Sequence, residues 1–149
     1  MNIRPAKYKD LETIIDFQMS MARETEGLDL DIEILTKGVE AVFEDFSKGI
    51  YYVAEENDLV IGCLLTTSEW SEWRNGTILW IQSVYVRDGY RGKGVFKALY
   101  NYVKDLVAQD KSLKGIRLYV EKTNLSAQKV YEAIGMDGDH YHFFEWMKN

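Results

Sequence analysis

The chain has 149 residues, a formal net charge of −6 and a single cysteine, which suits one globular domain spanning residues 1–149 around a single core. The negative charge argues against a nucleic-acid partner, because binding to a phosphate backbone requires a basic surface. No apolar run approaches the ~20 residues of a membrane span and no signal-peptide pattern is present, so we expect no membrane association and a cytoplasmic location.

The first fifty residues predict a short strand and two helices. Residues 1–4 form the strand candidate, which ends at Pro5, the only proline. Apolar residues then recur at helical spacing over residues 11–22, where Asp10 is placed to cap the helix or to complement its dipole. A second amphipathic pattern over residues 35–46 predicts another helix.

From residue 50 the apolar pattern changes to that of strands. Residues 50–54 and 59–66 are β-branched and aromatic runs on either side of a polar turn, which predicts a β-hairpin. Cys63 lies within the second run, where a small buried hydrophobe is expected rather than a reactive thiol. Residues 77–86 predict a long strand with apolar residues on both faces, which is typical of a central strand covered by helices.

A glycine-rich loop follows this strand and leads into a helix. Such a junction directs backbone N–H groups and the positive end of the helix dipole toward one point, which favours a phosphate group. Gly94 stands where a nucleotide-triphosphate loop has Ser or Thr, and Lys97 stands where a dinucleotide fingerprint has its third glycine. On its own the Gly-x-Gly turn is equally consistent with a structural role. The cations that reinforce the preference for an anion are Arg87, Arg91, Lys93 and Lys97.

The last third of the chain continues as helix, strand, helix and strand. Residues 96–107 predict a helix and residues 115–121 a strand, which implies a right-handed parallel crossover. Residues 127–134 predict a short helix that begins after Asn124 and ends at Gly135. The aromatic residues 141–147 predict a final strand.

Two motifs at these positions resemble those of a known family. Arg91-Gly92-Lys93-Gly94-Val95-Phe96 is similar to the signature Gln/Arg-x-x-Gly-x-Gly/Ala of the GNAT superfamily of acyl-CoA-dependent N-acyltransferases, with Phe96 in place of the last small residue. The stretch from Asn124 to Gly135 is similar to the family's Asn-x-x-Ala-x-x-x-Tyr-x-x-x-Gly stretch. The order of elements also matches, so the resemblance covers nearly the whole chain.

The resemblance implies an α/β (α+β) fold with a mixed β-sheet of about six or seven strands, flanked by about four helices. The sheet would be splayed between the strand that ends at Val86 and the strand over residues 115–121, and the pantetheine arm of acetyl-CoA would lie in the opening. Strand backbone would bind the arm, and loop N–H groups would bind the pyrophosphate. The implied cofactor-binding residues are Val84, Tyr85, Val86, Arg91, Gly92, Lys93, Gly94, Val95, Phe96 and Asn124.

The resemblance further implies transfer of an acetyl group from acetyl-CoA to a primary amine by direct attack. The acceptor would be a small molecule, or a protein lysine or N-terminus. Tyr131 would act as the general acid that protonates the leaving thiolate. The alternative interpretation is that Tyr131 only packs in the hydrophobic core. Relatives that resemble polyamine acetyltransferases have two carboxylates where this chain has Gln82 and Ser83, so no general base can be assigned. Three glutamates could act as a base through a water, but a solvated side chain is the favoured interpretation of each: Glu69, Glu72 and Glu121.

The segment around Trp70 and Trp73 is the most distinctive candidate for the acceptor side, since indoles and carboxylates can bind an ammonium; hairpin packing is the alternative. His140 and His142 lack a clear third ligand, so we expect no metal. The aromatic C-terminal strand and the tryptophan loop favour a homodimer. Two other functions stay open: a non-catalytic acyl-CoA-binding or regulatory module, and a nucleotide-binding fold of another kind.

Overall fold

A mixed β-sheet organises residues 2–117. The computed structural model describes residues 1–148, and over these residues five strands lie side by side in chain order. The first four strands are antiparallel neighbours, whereas the fifth is parallel to the fourth. The strands are β1 (Asn2–Pro5), β2 (Ile50–Glu56), β3 (Leu59–Ser71), β4 (Gly76–Val86) and β5 (Leu113–Arg117). The predicted fold class, a mixed sheet flanked by helices, is confirmed.

Four α-helices accompany the sheet within residues 1–148: α1 (Leu11–Glu26), α2 (Ile32–Glu44), α3 (Val95–Gln109) and α4 (Leu125–Ala133). The side chain of Asp31 caps α2 by accepting from two backbone N–H groups of its first turn. This helix ends two residues earlier than predicted, and Phe46 lies outside it with 80% of its surface exposed. None of the helices in the described part of the chain is long and apolar enough to cross a bilayer.

The hydrophobic core lies on both faces of the sheet. On one face α1 and α2 cover the central strands, with Ile14, Phe17 and Val39 buried against them. On the other face Leu99 and Val103 of α3 are fully buried. Cys63 of β3 is inaccessible to solvent, and this burial raises the pKa of its thiol to about 12. Cys63 is therefore a buried hydrophobe, as predicted.

The chain divides into two compact units, residues 1–117 and the segment from Leu118 onward. One predicted strand is shorter than expected, and another does not form. The strand expected over residues 115–121 ends at Arg117, and residues 141–147 form no strand in the structure. A strand exists only where another strand satisfies its backbone N–H and C=O groups, and among the described residues neither 118–121 nor 141–147 has such a partner. The sheet therefore has five strands here instead of six or seven.

Asp10 fastens the start of the chain to the sheet. Its carboxylate accepts hydrogen bonds from Arg4 Nη1 (2.8 Å), Arg4 Nη2 (3.1 Å) and the backbone N–H of Lys7 (2.7 Å), and Arg4 also bonds to Glu55. The side chain makes no capping bond to α1. Burial on its own would raise the pKa of Asp10, but the donors of Arg4 and Lys7 outweigh it and hold this pKa below its ordinary value.

Replacing Asp10 by Asn should lower the free energy of unfolding at pH 7 by about 1.5–3 kcal/mol, because a charged acceptor is lost. A depressed pKa in the folded state gives stability above the unfolded pKa of ~3.9, and this stability disappears as the pH falls through the folded pKa. The difference between wild type and Asp10→Asn in denaturant unfolding should therefore shrink below about pH 4. Asp105→Asn, at an exposed position of α3, is the control; a difference that persists in acid would contradict the assignment.

Candidate functional site

One side of β4 is open at its C-terminal end. On that side β5 pairs with β4 only from Thr77 to Trp80, although β4 continues to Val86. On the other side β3 remains paired with β4 as far as Val86. Within the described chain, residues 81–86 therefore offer backbone donors and acceptors without a strand partner on one side. An extended ligand with amide groups can bind there as an added strand.

A β-bulge interrupts β4 in this open stretch. Gln82 pairs with Leu65 and Tyr85 pairs with Cys63, so that two residues of β4 lie opposite one residue of β3. Ser83, within the bulge, has φ of 53°, a left-handed conformation that is rare for residues other than glycine. The bulge changes the direction of the backbone groups next to Val84. The sequence gives no sign of it, because Ser83 is not the glycine that would have indicated such a position.

The loop after β4 has the backbone geometry expected of an anion-binding turn. Gly89, Gly92 and Gly94 have φ of 90°, 75° and 82°, and a Cβ atom at Gly92 or Gly94 would meet no atom within 4 Å. α3 begins after Gly94 without a side-chain cap, whereas Asp31 and Asn124 cap α2 and α4. The N-terminus of α3 therefore faces open space with its dipole uncompensated by a side chain of its own.

The two arginines of this loop have structural partners. Arg91 donates to the carbonyl oxygen of Val86 (2.9 Å) and to Glu24 of α1 (2.9 and 3.1 Å), and it lies over the ring of Tyr85 at 5.2 Å. The bond to Glu24 raises the pKa of Arg91. Arg91 thus ties the loop to α1.

Arg87 donates to the carbonyl oxygen of Val60 through Nε (3.2 Å) and Nη2 (3.0 Å) and lies 5.1 Å from the ring centre of Phe17. Its guanidinium therefore fixes the start of the loop against β3 and α1. Lys93 and Lys97 are exposed. Of the four predicted cations, these two have the side chains available to an anion, while both arginines hold the loop in place.

The other predicted residues of this unit have distinct positions. Val95 is buried, with 3% of its surface exposed, and anchors α3 in the core. Phe96 is half-buried, and its ring centre lies 6.1 Å from that of Tyr100, one turn further along α3. Tyr85 packs against Phe17 at 5.0 Å, and burial together with its bond to Glu24 raises its pKa. Because these side chains pack against the protein, only their backbone groups suit ligand binding.

Asn124 and Tyr131 belong to the second unit. Asn124 caps α4 by accepting from the backbone N–H of Ala127 (3.1 Å) and from Ser126 Oγ (3.2 Å). Tyr131 lies on α4 and is half-buried, and burial raises the pKa of its hydroxyl group. The phenol is therefore protonated at neutral pH, as a general acid must be.

Two of the three candidate carboxylates, Glu69 and Glu121, accept hydrogen bonds from neighbouring residues. Glu69 accepts hydrogen bonds from Trp80 Nε1 (3.0 Å) and Arg117 Nη1 (2.8 Å), which lower its pKa. Glu121 accepts from the backbone N–H of Thr123 (3.1 Å) and from its hydroxyl group. Gln82 donates to Thr67 Oγ1 at 2.8 Å. Across the described residues no group of His, Cys, Asp and Glu side chains is arranged to hold a metal ion.

Replacing Glu69 by Gln should leave turnover within about two-fold of wild type, because a carboxylate with a lowered pKa is a weak base. The pH dependence of the rate should also be unchanged. Steady-state rates measured across the pH range, with Glu72→Gln as the matched control in the same hairpin, test this prediction. A loss of more than about ten-fold, confined to Glu69→Gln, would make Glu69 the base.

Comparison with known proteins agrees with this geometry. Residues 11–136 match the model of the acetyltransferase (GNAT) family. A possible acetyltransferase from Clostridium difficile 630 is 46% identical; the match covers 99% of this chain and 97% of that one, with a TM-score of 0.92. No curated protein gives a significant match.

Two further structures share the fold at lower identity. The ribosomal-protein-alanine N-acetyltransferase from Brucella melitensis biovar Abortus 2308 is 17% identical, with 99% of both chains covered and a TM-score of 0.79. A predicted acetyltransferase with acetyl-CoA from Clostridium acetobutylicum is 18% identical, with 97% of this chain and 95% of that chain covered and a TM-score of 0.74. Since the family match spans most of the sequence, the chain belongs to the acetyltransferase (GNAT) family and is an acyltransferase.

Proposed function

We propose that this enzyme transfers an acetyl group from acetyl-CoA to a primary amine of a small molecule. The observation that carries the proposal is the unpaired side of residues 81–86, which leads directly into the glycine loop and the uncapped N-terminus of α3. Acetyl-CoA has an arm with two amide groups and a pyrophosphate, so it matches both features. The structure from Clostridium acetobutylicum, which shares this fold, is described with acetyl-CoA.

In this proposal the backbone of Val84, Tyr85 and Val86 binds the pantetheine arm by strand-like hydrogen bonds. The N–H groups of residues 91–96 bind the pyrophosphate, aided by the helix dipole. The open space at Gly92 and Gly94 lets the phosphate oxygens approach the backbone closely. Lys93 and Lys97 add positive charge nearby.

The reaction needs two proton losses from the nitrogen and one proton gain by the sulfur. The amine nitrogen attacks the thioester carbonyl carbon, the carbon–sulfur bond breaks, and the thiolate leaves. An alkylammonium of pKa ~10.4 must first lose a proton, which costs about 4.6 kcal/mol at pH 7 without help. The thiolate takes a proton from the hydroxyl group of Tyr131, which burial keeps in its neutral form. The nitrogen loses its second proton as the amide forms, and a proton returned to the phenolate restores Tyr131. Asn124 contributes by capping the helix that carries Tyr131.

The proposed acceptor is a small cationic amine. The indoles of Trp70 and Trp73, 64% and 89% exposed, are free to stack on an ammonium group. A protein lysine or N-terminus is the alternative acceptor.

The decisive experiment measures release of CoA thiol from acetyl-CoA with a panel of polyamines, amino acids, aminoglycosides and lysine peptides. We expect turnover with at least one small amine and a higher melting temperature in the presence of CoA. Stabilisation by CoA without turnover on any amine would support a non-catalytic binding module. Stabilisation by ATP or NAD alone would overturn the proposed cofactor.

A further inference from the structure

A polar cavity of about 190 Å³ lies between α1 and the start of the glycine loop. All of its lining residues belong to the first unit of the chain. One wall is formed by side chains at helical spacing on α1, which are Thr13, Asp16, Phe17 and Ser20. The other wall is formed by Tyr85, near the end of β4, and by residues 87 and 88. Pockets for drug-sized ligands usually measure ~300–1,000 Å³, so this cavity suits a smaller molecule.

Contacts within the protein hold the walls of the cavity in place. Tyr85 bonds to Ser20 through its hydroxyl group, and its ring packs on that of Phe17. The guanidinium of Arg87 is held by the carbonyl oxygen of Val60 and by the ring of Phe17. Side chains that are already fixed lose little conformational entropy when a ligand binds. The cavity is therefore preorganised.

Three charged side chains line the cavity, two negative and one positive. Asp16 and Asp88 take part in no ion pair among the described residues. Asp88 accepts a hydrogen bond from the backbone N–H of Gly89 through Oδ1 (3.0 Å), which leaves Oδ2 for a ligand. Arg87 uses Nε and Nη2 to bond to Val60, which leaves Nη1. Two carboxylates and one guanidinium give the cavity a formal charge of −1.

We propose that this cavity binds a basic α-amino acid, such as lysine, ornithine or arginine. The carboxylate of the ligand accepts from Arg87 Nη1, and its two cationic groups donate to Asp16 and Asp88. A ligand of this class has a net charge of +1 and pairs with all three charged side chains. A diamine leaves Arg87 without a partner, and a neutral amino acid leaves one carboxylate without a partner, so both bind more weakly.

The position of the cavity separates this ligand from the acetyl acceptor, if the proposed function, on which this step rests, is correct. In that binding mode the arm of acetyl-CoA runs from the pyrophosphate at residues 91–96 to Val84. The thioester therefore lies at the Val84 end of the arm. The cavity reaches Tyr85 and residues 87 and 88, which lie toward the pyrophosphate end. Its ligand is therefore an effector beside the loop and not the attacking amine.

Occupation of the cavity should strengthen cofactor binding. The ligand contacts α1 at Asp16 and the start of the loop at Arg87 and Asp88, so it binds only while the loop lies against α1. The bond between Arg91 and Glu24 holds a later part of the loop against the same helix. A further tie favours the loop conformation that gathers N–H groups for the pyrophosphate. Because such coupling is reciprocal, CoA should raise the affinity for the amino acid by the same factor.

Calorimetric titration of the CoA-free enzyme with lysine tests the site by itself. We expect saturable binding of lysine. Cadaverine, which lacks the carboxylate, and norleucine, which lacks the side-chain ammonium, should each bind about five-fold more weakly or worse. Asp16→Asn/Asp88→Asn should weaken lysine binding by about ten-fold, since it removes two charged contacts.

Glu12→Gln/Asp105→Asn is the matched control, because it removes two exposed carboxylates outside the cavity. It should bind lysine as the wild type does. Equal affinities for lysine, cadaverine and norleucine would overturn the proposal, and so would equal lysine affinities of the two double variants.

Titration with CoA at saturating lysine tests the coupling. We expect CoA to bind about five-fold more tightly than without lysine. Competition between lysine and CoA would place the cavity in the cofactor site and overturn the proposal. Acetylation of lysine with a KM that Asp16→Asn/Asp88→Asn raises would make the cavity the acceptor site and overturn the effector role. Lysine binding by an enzyme that neither binds CoA nor acetylates any amine would refute the proposed function and leave the amino-acid site standing.

Discussion

Replacing Tyr131 by Phe should lower the turnover number by about 100-fold or more, the usual contribution of a general acid. The KM for acetyl-CoA should change little, because in the proposed mechanism the phenol acts on the departing sulfur and backbone groups of β4 and the loop bind the cofactor. Steady-state kinetics with the best amine of the panel measure both quantities. Tyr8→Phe, at a tyrosine that is 63% exposed, is the control and should be silent.

The pH dependence gives a second readout for Tyr131. The rate should rise with pH as the amine loses its proton, whose pKa is ~10.4 in the free acceptor. Burial raises the pKa of Tyr131 above its ordinary value of ~10, so a fall of the rate from loss of its proton is expected only above that pH. Unchanged turnover in Tyr131→Phe would remove the residue from the mechanism. An equal rise of KM and fall of turnover would indicate a structural role.

The sequence predicts those helices, strands and caps that depend on residues close together in the chain. The alternation in β2 and β3, the helical spacing in α1 and α3, and Asn124 as the cap of α4 depend on residues within a few positions of each other, and all appear in the structure. Residues 141–147 have the same local strand pattern and form no strand. The reason is that a strand depends on a partner elsewhere, which the pattern of one segment cannot supply.

In the candidate site, too, features set by nearby residues are predictable from the sequence, whereas contacts between distant residues are not. The glycine loop is predictable from the sequence because positive φ angles, which the structure shows at its glycines, favour glycine. The bond between Arg91 and Glu24 joins residues 67 positions apart, and nothing near either residue indicates it. The bulge at Ser83 likewise depends on the register between β3 and β4. Arg91 was thus expected to face an anion, whereas its guanidinium holds the loop against α1.

The double variant Gly92→Ala/Gly94→Ala should raise the KM for acetyl-CoA by roughly 30- to 1,000-fold, with a smaller change in turnover. Both glycines have φ near 80°, and a left-handed conformation costs about 1–2 kcal/mol per residue once a Cβ is present. The exposed loop can relieve this strain in the free enzyme by turning its N–H groups away. Binding of the pyrophosphate then has to restore the strained conformation, so the cost falls on affinity.

Gly27→Ala separates this effect from general destabilisation. Gly27 also has positive φ (63°), lies at a helix end, and has no atom within 4 Å of an added Cβ. Gly27→Ala should therefore lose about 1–2 kcal/mol of stability while keeping its KM for acetyl-CoA. Calorimetric titration with CoA and thermal unfolding of both variants provide the comparison. If the loop variant binds CoA as tightly as Gly27→Ala does, the pyrophosphate does not lie on this loop, and the anion site at the start of α3 must be abandoned.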